Sequence, residues 1–399
     1  MLSVKEATQR ILAAFTPLGA EVVALDQALG RTLARPVTAR LDHPPQAVSA
    51  MDGYAVRAAD VTTLPARLKI VESIAAGALP TRALGPGEAS RIFTGAALPQ
   101  GADAIVIQEN TEKDGDYVRV VDGGAAVKGR HVRPAGNDFA KGVVGVEAGR
   151  RLTASDIGLA AAMNWPWLDV TRRPRVAIIS TGNELAHPGE TLAPGQIVAS
   201  NGIALSAFVT AAGAEPLHLG IARDEPAALA DLIDRAAGCD LLLTTGGASV
   251  GEHDLVQSAL KAKGMDLDFW KIAMRPGKPV MFGRLGGLRV LGLPGNPVSV
   301  LVTATLFVGP VIARMLGRSE IGPRIVRART AIDLPANDLR QDYLRSKVAE
   351  TPEGPVATPF GKQDSGMLSV LSRSGGLVIR APHAPPLQAG SEVDLVRLD

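Results

Sequence analysis

The segment Leu241-Leu-Leu-Thr-Thr-Gly-Gly-Ala-Ser-Val-Gly-Glu-His-Asp254 decides the fold class of this chain. Its apolar start predicts a buried strand, its three glycines predict a loop, and its end predicts the first turn of a helix. Glycines let several backbone N–H groups face one point, and a helix N-terminus adds partial positive charge there. We therefore predict that Gly246, Gly247, Ser249 and Gly251 bind phosphate or another oxyanion. The alternative is a tight turn that needs glycine for packing alone, but ligands favour the carboxyl ends of parallel strands.

Strands and helices alternate on both sides of this segment. Such alternation predicts a doubly wound parallel sheet with helices on both faces, and we place this α/β domain at residues 171–318. The predicted strands are 175–180, 217–221, 240–244, 269–274, 279–282 and 288–292, and the predicted helices are 200–212, 224–238, 252–263 and one that follows Asn296-Pro297.

Two further strand ends carry small polar residues, in Ser180-Thr-Gly-Asn-Glu-Leu185 and in Leu291-Gly-Leu-Pro-Gly-Asn-Pro-Val-Ser299. Because the carboxyl ends of parallel strands meet at one edge of a sheet, we expect both segments to lie beside the first glycine loop. Asn296 as a helix N-cap and Pro297 as the first helical residue would explain much of the second segment without a ligand. The residues predicted to contact the ligand are Ser180, Thr181, Gly182, Pro294, Gly295, Asn296 and Pro297.

Charged residues complete the predicted site. Glu184, Asp224 and Asp254 would lie at the same sheet edge, and carboxylates beside an anion-binding loop call for a cation such as Mg²⁺ between them. The alternative for Asp224 is that it caps its helix. In Lys271-Ile-Ala-Met-Arg-Pro-Gly-Lys278, a strand would place Lys271 and Arg275 on one face, where they and Lys278 could hold an oxyanion.

The bulk composition limits the other possibilities. A length of 399 residues predicts two to four domains, and short β-like runs dominate residues 1–170 and 320–399. The net charge of +2 and the aromatic content of 4% argue against a nucleic-acid partner. A single cysteine, Cys239, excludes an internal disulfide. We predict no membrane span, because the apolar run 298–312 is short and interrupted, and we expect a cytoplasmic enzyme because no secretory segment precedes the helix at Ser3.

Three motifs in the N-terminal half are weak when taken alone. They are Ser49-Ala-Met-Asp-Gly-Tyr-Ala55, Ile92-Phe-Thr-Gly-Ala96 and Arg130-His-Val-Arg-Pro-Ala-Gly-Asn-Asp138. Turns favour Asp and Gly for conformational reasons, so these residue types need no ligand.

In their order, however, these motifs resemble those of a known family. SAMDGYA, RIFTGAALPQGADAIV, HVRPAGND, RVAIISTGNEL, TTGGASVGEHD, MRPGKP, GLPGNPVS and DSGML follow one another as in the molybdopterin molybdenumtransferases, the MoeA-like family that includes the gephyrin E domain. The resemblance extends from about Pro45 to Leu371. It implies an enzyme that inserts molybdate into adenylated molybdopterin and releases AMP, with Mg²⁺ as the assisting cation.

The resemblance also implies an architecture and a set of partners. It predicts an elongated homodimer with the cleft between the α/β domain of one protomer and the N-terminal parts of the other. A molybdopterin adenylyltransferase and downstream molybdoenzyme apoproteins would be its protein partners. The implied domains are I (1–20, 39–50 and 135–170), a β-rich II (21–38 and 51–134), the α/β molybdopterin-binding III (171–318) and a C-terminal β-barrel IV (319–399).

The family motifs assign roles to residues at matching positions. Asp52, Thr94, Arg133 and Asp138 would act in catalysis together with Glu184, Asp224 and Asp254, of which the last three would also hold the metal. Lys271, Arg275 and Lys278 match the basic positions, and Arg345 and Ser365 match C-terminal substrate-binding positions. The sequence departs from the family where Arg275 stands in place of a common lysine and where Asn137 and Asn183 replace acids, which leaves the number of bound cations open.

Three other functions compete with this interpretation. A molybdopterin adenylyltransferase would share the α/β loops but would not need the N-terminal half or the terminal β domain. A non-catalytic scaffold would not need the acidic and basic site residues. A nucleotide pyrophosphatase would release AMP with or without molybdate.

Overall fold

A computed structural model of the chain describes residues 1–246 and 255–398. Its N-terminal part contains one six-stranded sheet, with the strand order β7-β4-β6-β5-β9-β8, and three small two-stranded pairs. The helices are α1 (Val4–Ala13) and α2 (Ala154–Ala162), and the strands are β1 (Ala20–Ala24), β2 (Val37–Thr38), β3 (Val48–Ser49), β4 (Gly53–Val56), β5 (Ala66–Ile74), β6 (Glu88–Ile92), β7 (Ala104–Ile107), β8 (Thr111–Asp114), β9 (Tyr117–Val120), β10 (Val132–Arg133), β11 (Val144–Val146) and β12 (Trp167–Thr171).

Side chains cap both N-terminal helices. The hydroxyl of Ser3 accepts a hydrogen bond from the backbone N–H of Glu6, at 3.1 Å, but the Glu6 carboxylate pairs with Arg10 and does not return to Ser3. The start of α1 therefore has only one half of a capping box. Helix α2 has a complete box, in which Thr153 and Asp156 bond each other's backbone and side chains.

The central part is built on a six-stranded sheet with the order β16-β13-β17-β21-β20-β18, in which the first four strands are parallel. The pairings of β21 with β20 and of β20 with β18 are antiparallel, which refines the prediction of a doubly wound parallel sheet. Its elements are β13 (Arg175–Thr181), β14 (Leu185–Ala186), β15 (Ile197–Val198), α3 (Asn201–Ala211), β16 (Glu215–Ala222), α4 (Pro226–Arg235), β17 (Leu241–Thr245), α5 (Leu255–Ala262), β18 (Asp266–Trp270), β19 (Met274–Arg275), β20 (Met281–Leu285), β21 (Leu288–Leu293), α6 (Pro297–Thr303) and α7 (Gly309–Met315), with the π-helical turn Ala304–Val308 joining the last two helices.

Apolar cores cover both faces of the central sheet. Alternate residues of one strand serve the two sides, so that Ile178 packs with one core and Ile179 with the other. The first core includes residues of α1, α3, α6 and α7, and the second includes residues of α4 and α5. This sandwich confirms the predicted layers and leaves the carboxyl edge of the sheet for the loops.

The C-terminal part is a closed barrel. Strands β22 (Ile325–Thr330), β23 (Gln341–Thr351), β24 (Gly354–Pro359), β25 (Gly376–Arg380) and β26 (Glu392–Arg397) pair in the order β23-β24-β22-β26-β25, and β25 pairs with β23 to close it. One short helix, α8 (Leu368–Leu371), lies between β24 and β25. Strand β19 of the central part adds to β23, which joins the barrel to the α/β domain.

Two predictions need correction. The strand predicted at 269–274 ends at Trp270, and Lys271 has a φ of 148°, so Lys271 and Arg275 do not share the face of one strand. The apolar helix Pro297–Met315 is longer than the predicted run. It has 19 residues and contains an 18-residue window with a mean hydropathy of 1.8, so it could cross a membrane by length and composition alone. Because 78% of that window is buried in the protein, it is a core helix.

The boundaries between domains I and II stay a prediction. The packing favours one change to them, because Leu33 and Val37, predicted to lie in domain II, share a core with Leu152 and Val170. Residues 21–38 therefore pack with the part predicted as domain I.

Candidate functional site

Three strand ends meet at the carboxyl edge of the central sheet. A β-carbon on Gly246 would lie 2.4 Å from the carbonyl oxygen of Thr181, and a β-carbon on Gly295 would lie 3.6 Å from the Gly246 Cα. The φ of Gly246 is 88°, in the region that favours glycine. Gly246, the first residue after β17, thus contacts both the end of β13 and the loop after β21.

A buried hydroxyl lies at this meeting point. Ser180 and Thr181 are both buried at the end of β13. The hydroxyl oxygen of Thr181 has no hydrogen-bond partner among the described residues and lies 3.0 Å from the β-carbon position of Gly246. A buried hydroxyl without a partner is costly, so this position favours a polar ligand.

Asn201 ties these loops together, and sequence reasoning missed it. The side-chain amide at the start of α3 donates to the Gly295 carbonyl oxygen at 2.7 Å and to the Thr245 hydroxyl oxygen at 3.1 Å. The Thr245 hydroxyl in turn donates to the Pro294 carbonyl oxygen at 3.0 Å. An Asn just after Ser200 at a helix start reads as a capping signal, so the sequence alone gives no reason to assign it to the site.

Part of the predicted anion loop lies outside the described residues. Gly247, Ser249, Gly251 and Asp254 belong to this group, so their roles stay predictions.

The acidic residues after β13 and β16 lie on linked loops. The Asp224 carboxylate accepts a hydrogen bond from the Asn183 backbone N–H at 3.2 Å, and the Asn183 side-chain oxygen accepts one from the Asp224 N–H at 3.1 Å. Asp224 does not cap its helix, because Glu225 occupies the N-cap position of α4. The Glu184 carboxylate folds over Gly182, whose β-carbon would lie 2.3 Å from it. Both carboxylates therefore lie close to the Thr181 strand end.

The three predicted cations have different surroundings. Lys271 lies over the indole of Trp270, with Nζ 4.4 Å from the ring centroid. Among the described side chains, neither Lys271 nor Lys278 takes part in an ion pair, whereas Arg275 takes part in two. Its guanidinium forms a two-pronged contact with the buried carboxylate of Asp342 and bonds Asp338 at 3.2 Å. The hydrogen bonds that Arg275 donates to the Asp342 carboxylate raise the pKa of Arg275 above its ordinary value. A role for Arg275 in oxyanion binding stays a prediction and would have to compete with these carboxylates.

The barrel brings two predicted residues toward the sheet edge. The Asn296 side-chain amide donates to the Ser365 hydroxyl at 2.8 Å, and the Val298 N–H donates to the Ser365 carbonyl at 3.1 Å. Asn296 stands at the N-cap position and Pro297 at N1, as predicted, but the Asn296 side chain makes no capping bond. Arg345 is 1% exposed and donates to the Asp364 carbonyl at 3.2 Å, and burial lowers its pKa. Arg345 thus supports the loop that carries Ser365.

The N-terminal residues form a second group. The Asp52 carboxylate accepts two hydrogen bonds from Thr94, one from the backbone N–H and one from the hydroxyl, each at 2.8 Å. These bonds hold the pKa of Asp52 below its ordinary value. Arg133 and Asp138 line a cavity of about 660 Å³ together with Gly95, the neighbour of Thr94. Residues of two of the weak N-terminal motifs therefore line one cavity, and the third motif is bonded beside it through Asp52 and Thr94.

The N-terminal group and the group at the sheet edge are separate in their polar contacts. Across residues 1–246 and 255–398, no hydrogen bond or ion pair connects Asp52, Thr94, Arg133 or Asp138 to the loops of the central sheet.

Comparison with known proteins identifies the fold. Three family models match successive parts of the chain: the MoeA N-terminal region (domains I and II) at residues 2–164, the probable molybdopterin-binding domain at 177–314 and the MoeA C-terminal region (domain IV) at 327–398. The chain belongs to the molybdopterin molybdenumtransferase family. It is 41% identical to the molybdopterin molybdenumtransferase of Nostoc sp. over 389 residues. This alignment covers 95% of this chain and 88% of the relative. It is 37% identical to molybdopterin molybdenumtransferase 2 of Mycobacterium tuberculosis, over 94% of each chain.

A solved structure confirms the architecture of this molybdenumtransferase family. The crystal structure of the molybdopterin biosynthesis MoeA protein from Pyrococcus horikosii superimposes with a TM-score of 0.86 at 34% identity, over 100% of this chain and 99% of that one. The predicted enzyme class and the predicted fold class are therefore confirmed. The rival with only the α/β domain is wrong, because the N-terminal and C-terminal regions of the molybdenumtransferases match as well.

Proposed function

We propose that this protein inserts molybdenum, supplied as molybdate, into adenylated molybdopterin and releases AMP, with Mg²⁺ as its metal ion. The observation that carries the proposal is the contact among Thr181, Gly246 and Gly295 at one edge of the sheet. Backbone packed this closely excludes side chains, so an anionic ligand could approach the glycine backbone directly. The names of the relatives suggest which anion this is, since they are molybdopterin molybdenumtransferases.

The loops at the sheet edge would hold the pterin nucleotide. The glycine backbone at Gly246 and Gly295 can approach the ligand, and the Thr181 hydroxyl, which has no partner among the described residues, can donate to it. Asn296 and Ser365, which bond each other, bring the barrel to the same edge and could close this side of the cleft.

Lysine side chains would gather molybdate. Lys271 and Lys278 carry positive charges that no described carboxylate neutralises, whereas Arg275 already faces Asp338 and Asp342. A doubly charged oxyanion is stabilised most by cations without a competing partner. Lys271 and Lys278 therefore carry the molybdate role in this proposal, and Arg275 has a lesser part.

Glu184 and Asp224 are the described residues that would hold Mg²⁺. No group of three or more described His, Cys, Asp or Glu side chains could hold a metal by itself. Two carboxylates beside a phosphate site nevertheless fit Mg²⁺, which commonly binds one or two carboxylates together with substrate phosphates and water. Asp254 would be a further ligand. When bound, the ion would stabilise the negative charge on the phosphate of the departing AMP.

A second copy of the chain would complete the site. Arg133 and Asp138 line a cavity beside the bonded pair Asp52 and Thr94, and the glycine loops are not part of its lining, which supports a homodimer in which one protomer supplies each part. We further propose that the enzyme works in the cytoplasm, receives its substrate from a molybdopterin adenylyltransferase and passes its product to molybdoenzyme apoproteins.

The test is a reconstituted reaction with the full-length protein, adenylated molybdopterin, Mg²⁺ and molybdate. We expect AMP release and molybdenum incorporation to rise together and to stop when Mg²⁺ is chelated. The Asp52→Asn variant should lose both activities and keep the melting temperature of the wild type. AMP release that needs no molybdate would instead support a nucleotide pyrophosphatase and overturn the proposal.

A further inference from the structure

We infer that Asn201 is a positioning residue that sets the gap between the two glycine-containing loops of the substrate site, and thereby the affinity for the pterin nucleotide. The inference rests on the proposed function and adds a residue to that site. Among the described residues, the Asn201 side chain bonds Thr245 and Gly295 and neither Glu184 nor Asp224, so we assign it a role through the segments that it joins.

The hydrogen bonds of Asn201 join three separate elements. Its Nδ2 is the first side-chain donor of α3, the Thr245 oxygen ends β17, and the Gly295 carbonyl belongs to the loop between β21 and α6. The Thr245 hydroxyl passes its own proton on to the Pro294 carbonyl. The two protons of the Asn201 amide and the one proton of the Thr245 hydroxyl thus connect the start of α3, the end of β17 and the loop after β21.

The geometry of the bridge requires a primary amide. Nδ2 carries two protons on one atom and can serve two acceptors, whereas a carboxylate offers no donor and a serine hydroxyl offers only one. The segments that Asn201 bridges contain Gly246 and Gly295. A β-carbon on Gly295 would lie 3.6 Å from the Gly246 Cα. A bond to each loop therefore fixes their separation where the ligand would bind.

Helix α3 does not depend on this side chain for its own stability. Leu205 and Val209 bury its apolar face in the core, and the Asn201 side chain makes no bond within its own helix. A side chain that bonds across the site rather than along its helix is expected to affect ligand binding more than folding.

The experiment measures steady-state kinetics of the full-length enzyme with two variants. Asn201→Leu removes both donors at similar volume, and Thr245→Val removes the shared hydroxyl without changing the shape of the buried side chain. We expect each variant to raise the KM for adenylated molybdopterin about tenfold, because each loses hydrogen bonds that hold the loops. The KM for molybdate and kcat should stay within about twofold, since the lysines that would hold molybdate are not part of this network. The KM of the double variant for adenylated molybdopterin should be no higher than that of the more impaired single variant, because both substitutions break the same network.

A control on the same helix separates positioning from folding. Ser206→Ala removes only a bond to the Gly202 carbonyl, at 2.8 Å, and should leave both KM values unchanged. Normal pterin affinity in a folded Asn201→Leu or Thr245→Val enzyme would overturn the inference and leave the proposed function intact. Equal loss of kcat and of both affinities would also overturn it, because that result indicates general damage. If Asn201→Leu does not fold, the result with Thr245→Val decides. If the wild-type enzyme shows no turnover in the reconstituted reaction, the proposed function is contradicted, and this inference is contradicted with it.

Discussion

The backbone of Gly246 passes so close to Thr181 that a β-carbon on residue 246 would lie 2.4 Å from the Thr181 carbonyl oxygen. That approach and the φ of 88° both require glycine at this position. Gly246 can therefore rest directly on the end of β13, at the sheet edge where ligands bind in open α/β sheets.

The Gly246→Ala variant should lose activity and stability together. The left-handed φ alone costs an alanine about 1–2 kcal/mol, and the contact with Thr181 must push the loop away. We expect turnover to fall at least about a hundredfold, because the loop would no longer be positioned for the ligand. Chemical denaturation and AMP release measure the two effects.

Gly189→Ala is the matched control for this prediction. Gly189 has a φ of 92°, but nothing lies within 4 Å of its β-carbon position. It should therefore show the conformational cost and retain turnover. A Gly246→Ala enzyme with the kinetics of the control would show that the close contact with Thr181 has no functional role.

Thr94→Val should shift the acidic limb of the pH–rate profile to higher pH. The substitution keeps the N–H bond to Asp52 and deletes the hydroxyl bond, so the pKa of Asp52 rises toward its ordinary value. In the wild type the lowered pKa keeps this carboxylate ionised as the pH falls, and the variant would lose the ionised form sooner. The measurement is kcat/KM against pH. Thr111→Val, which removes a hydroxyl bond to the Gln108 carbonyl, should leave the profile in place.

Arg275→Lys should destabilise the junction between the α/β domain and the barrel. A lysine cannot reproduce the two-pronged contact with Asp342, whose carboxylate is only 5% exposed. Because the guanidinium is itself half exposed, we expect a loss of about 1–2 kcal/mol in the free energy of unfolding, measured with urea. Arg327→Lys is the control, since Arg327 also bonds two carboxylates but both are exposed, and it should change stability by less than about 0.5 kcal/mol. Unchanged stability with a raised KM for molybdate would assign Arg275 to the oxyanion site instead.

Trp270→Phe should weaken molybdate binding selectively. The indole face lies 4.4 Å from the Lys271 ammonium, and a phenyl ring attracts a cation less strongly. We expect the KM for molybdate to rise about two- to fivefold with kcat retained. Tyr117→Leu removes a cation–π contact with Arg67 in the N-terminal sheet and should not alter it. A KM change of the same size in both variants would contradict a role for Trp270.

The sequence was sufficient to predict strand β17 and the glycine turn at its end because these signals are local. Strand, glycines and helix start follow one another within a few residues, and the glycine at 246 does adopt a positive φ. The Asp52–Thr94 pair was less clear from physics, because its residues are 42 apart and each lies in a turn that needs no ligand. Family resemblance, rather than residue chemistry, joined them.

Tertiary contacts explain what sequence reasoning missed. Asn201 acts on residues 44 and 94 positions away, so no local pattern marks it. The Lys271–Arg275 strand was predicted from alternation alone. In the structure the chain turns at Lys271, and Arg275 joins barrel strand β23, whose Asp342 is 67 residues away. The alternation of side chains along a strand does not show that the strand pairs with another domain.

The central claim is that one protomer supplies the glycine loops and its partner supplies the N-terminal acids. The most direct measurement is the activity of isolated mixed dimers made from an Asp52→Asn chain and a Lys271→Ala chain, each inactive by itself. Every such dimer would contain one intact site, so we predict about half of the wild-type activity. A mixed dimer of Asp52→Asn and Asp138→Asn chains should stay inactive, because both sites then lack an acid. Failure of the first pair to recover activity would show that each site is built within a single chain and would contradict the account.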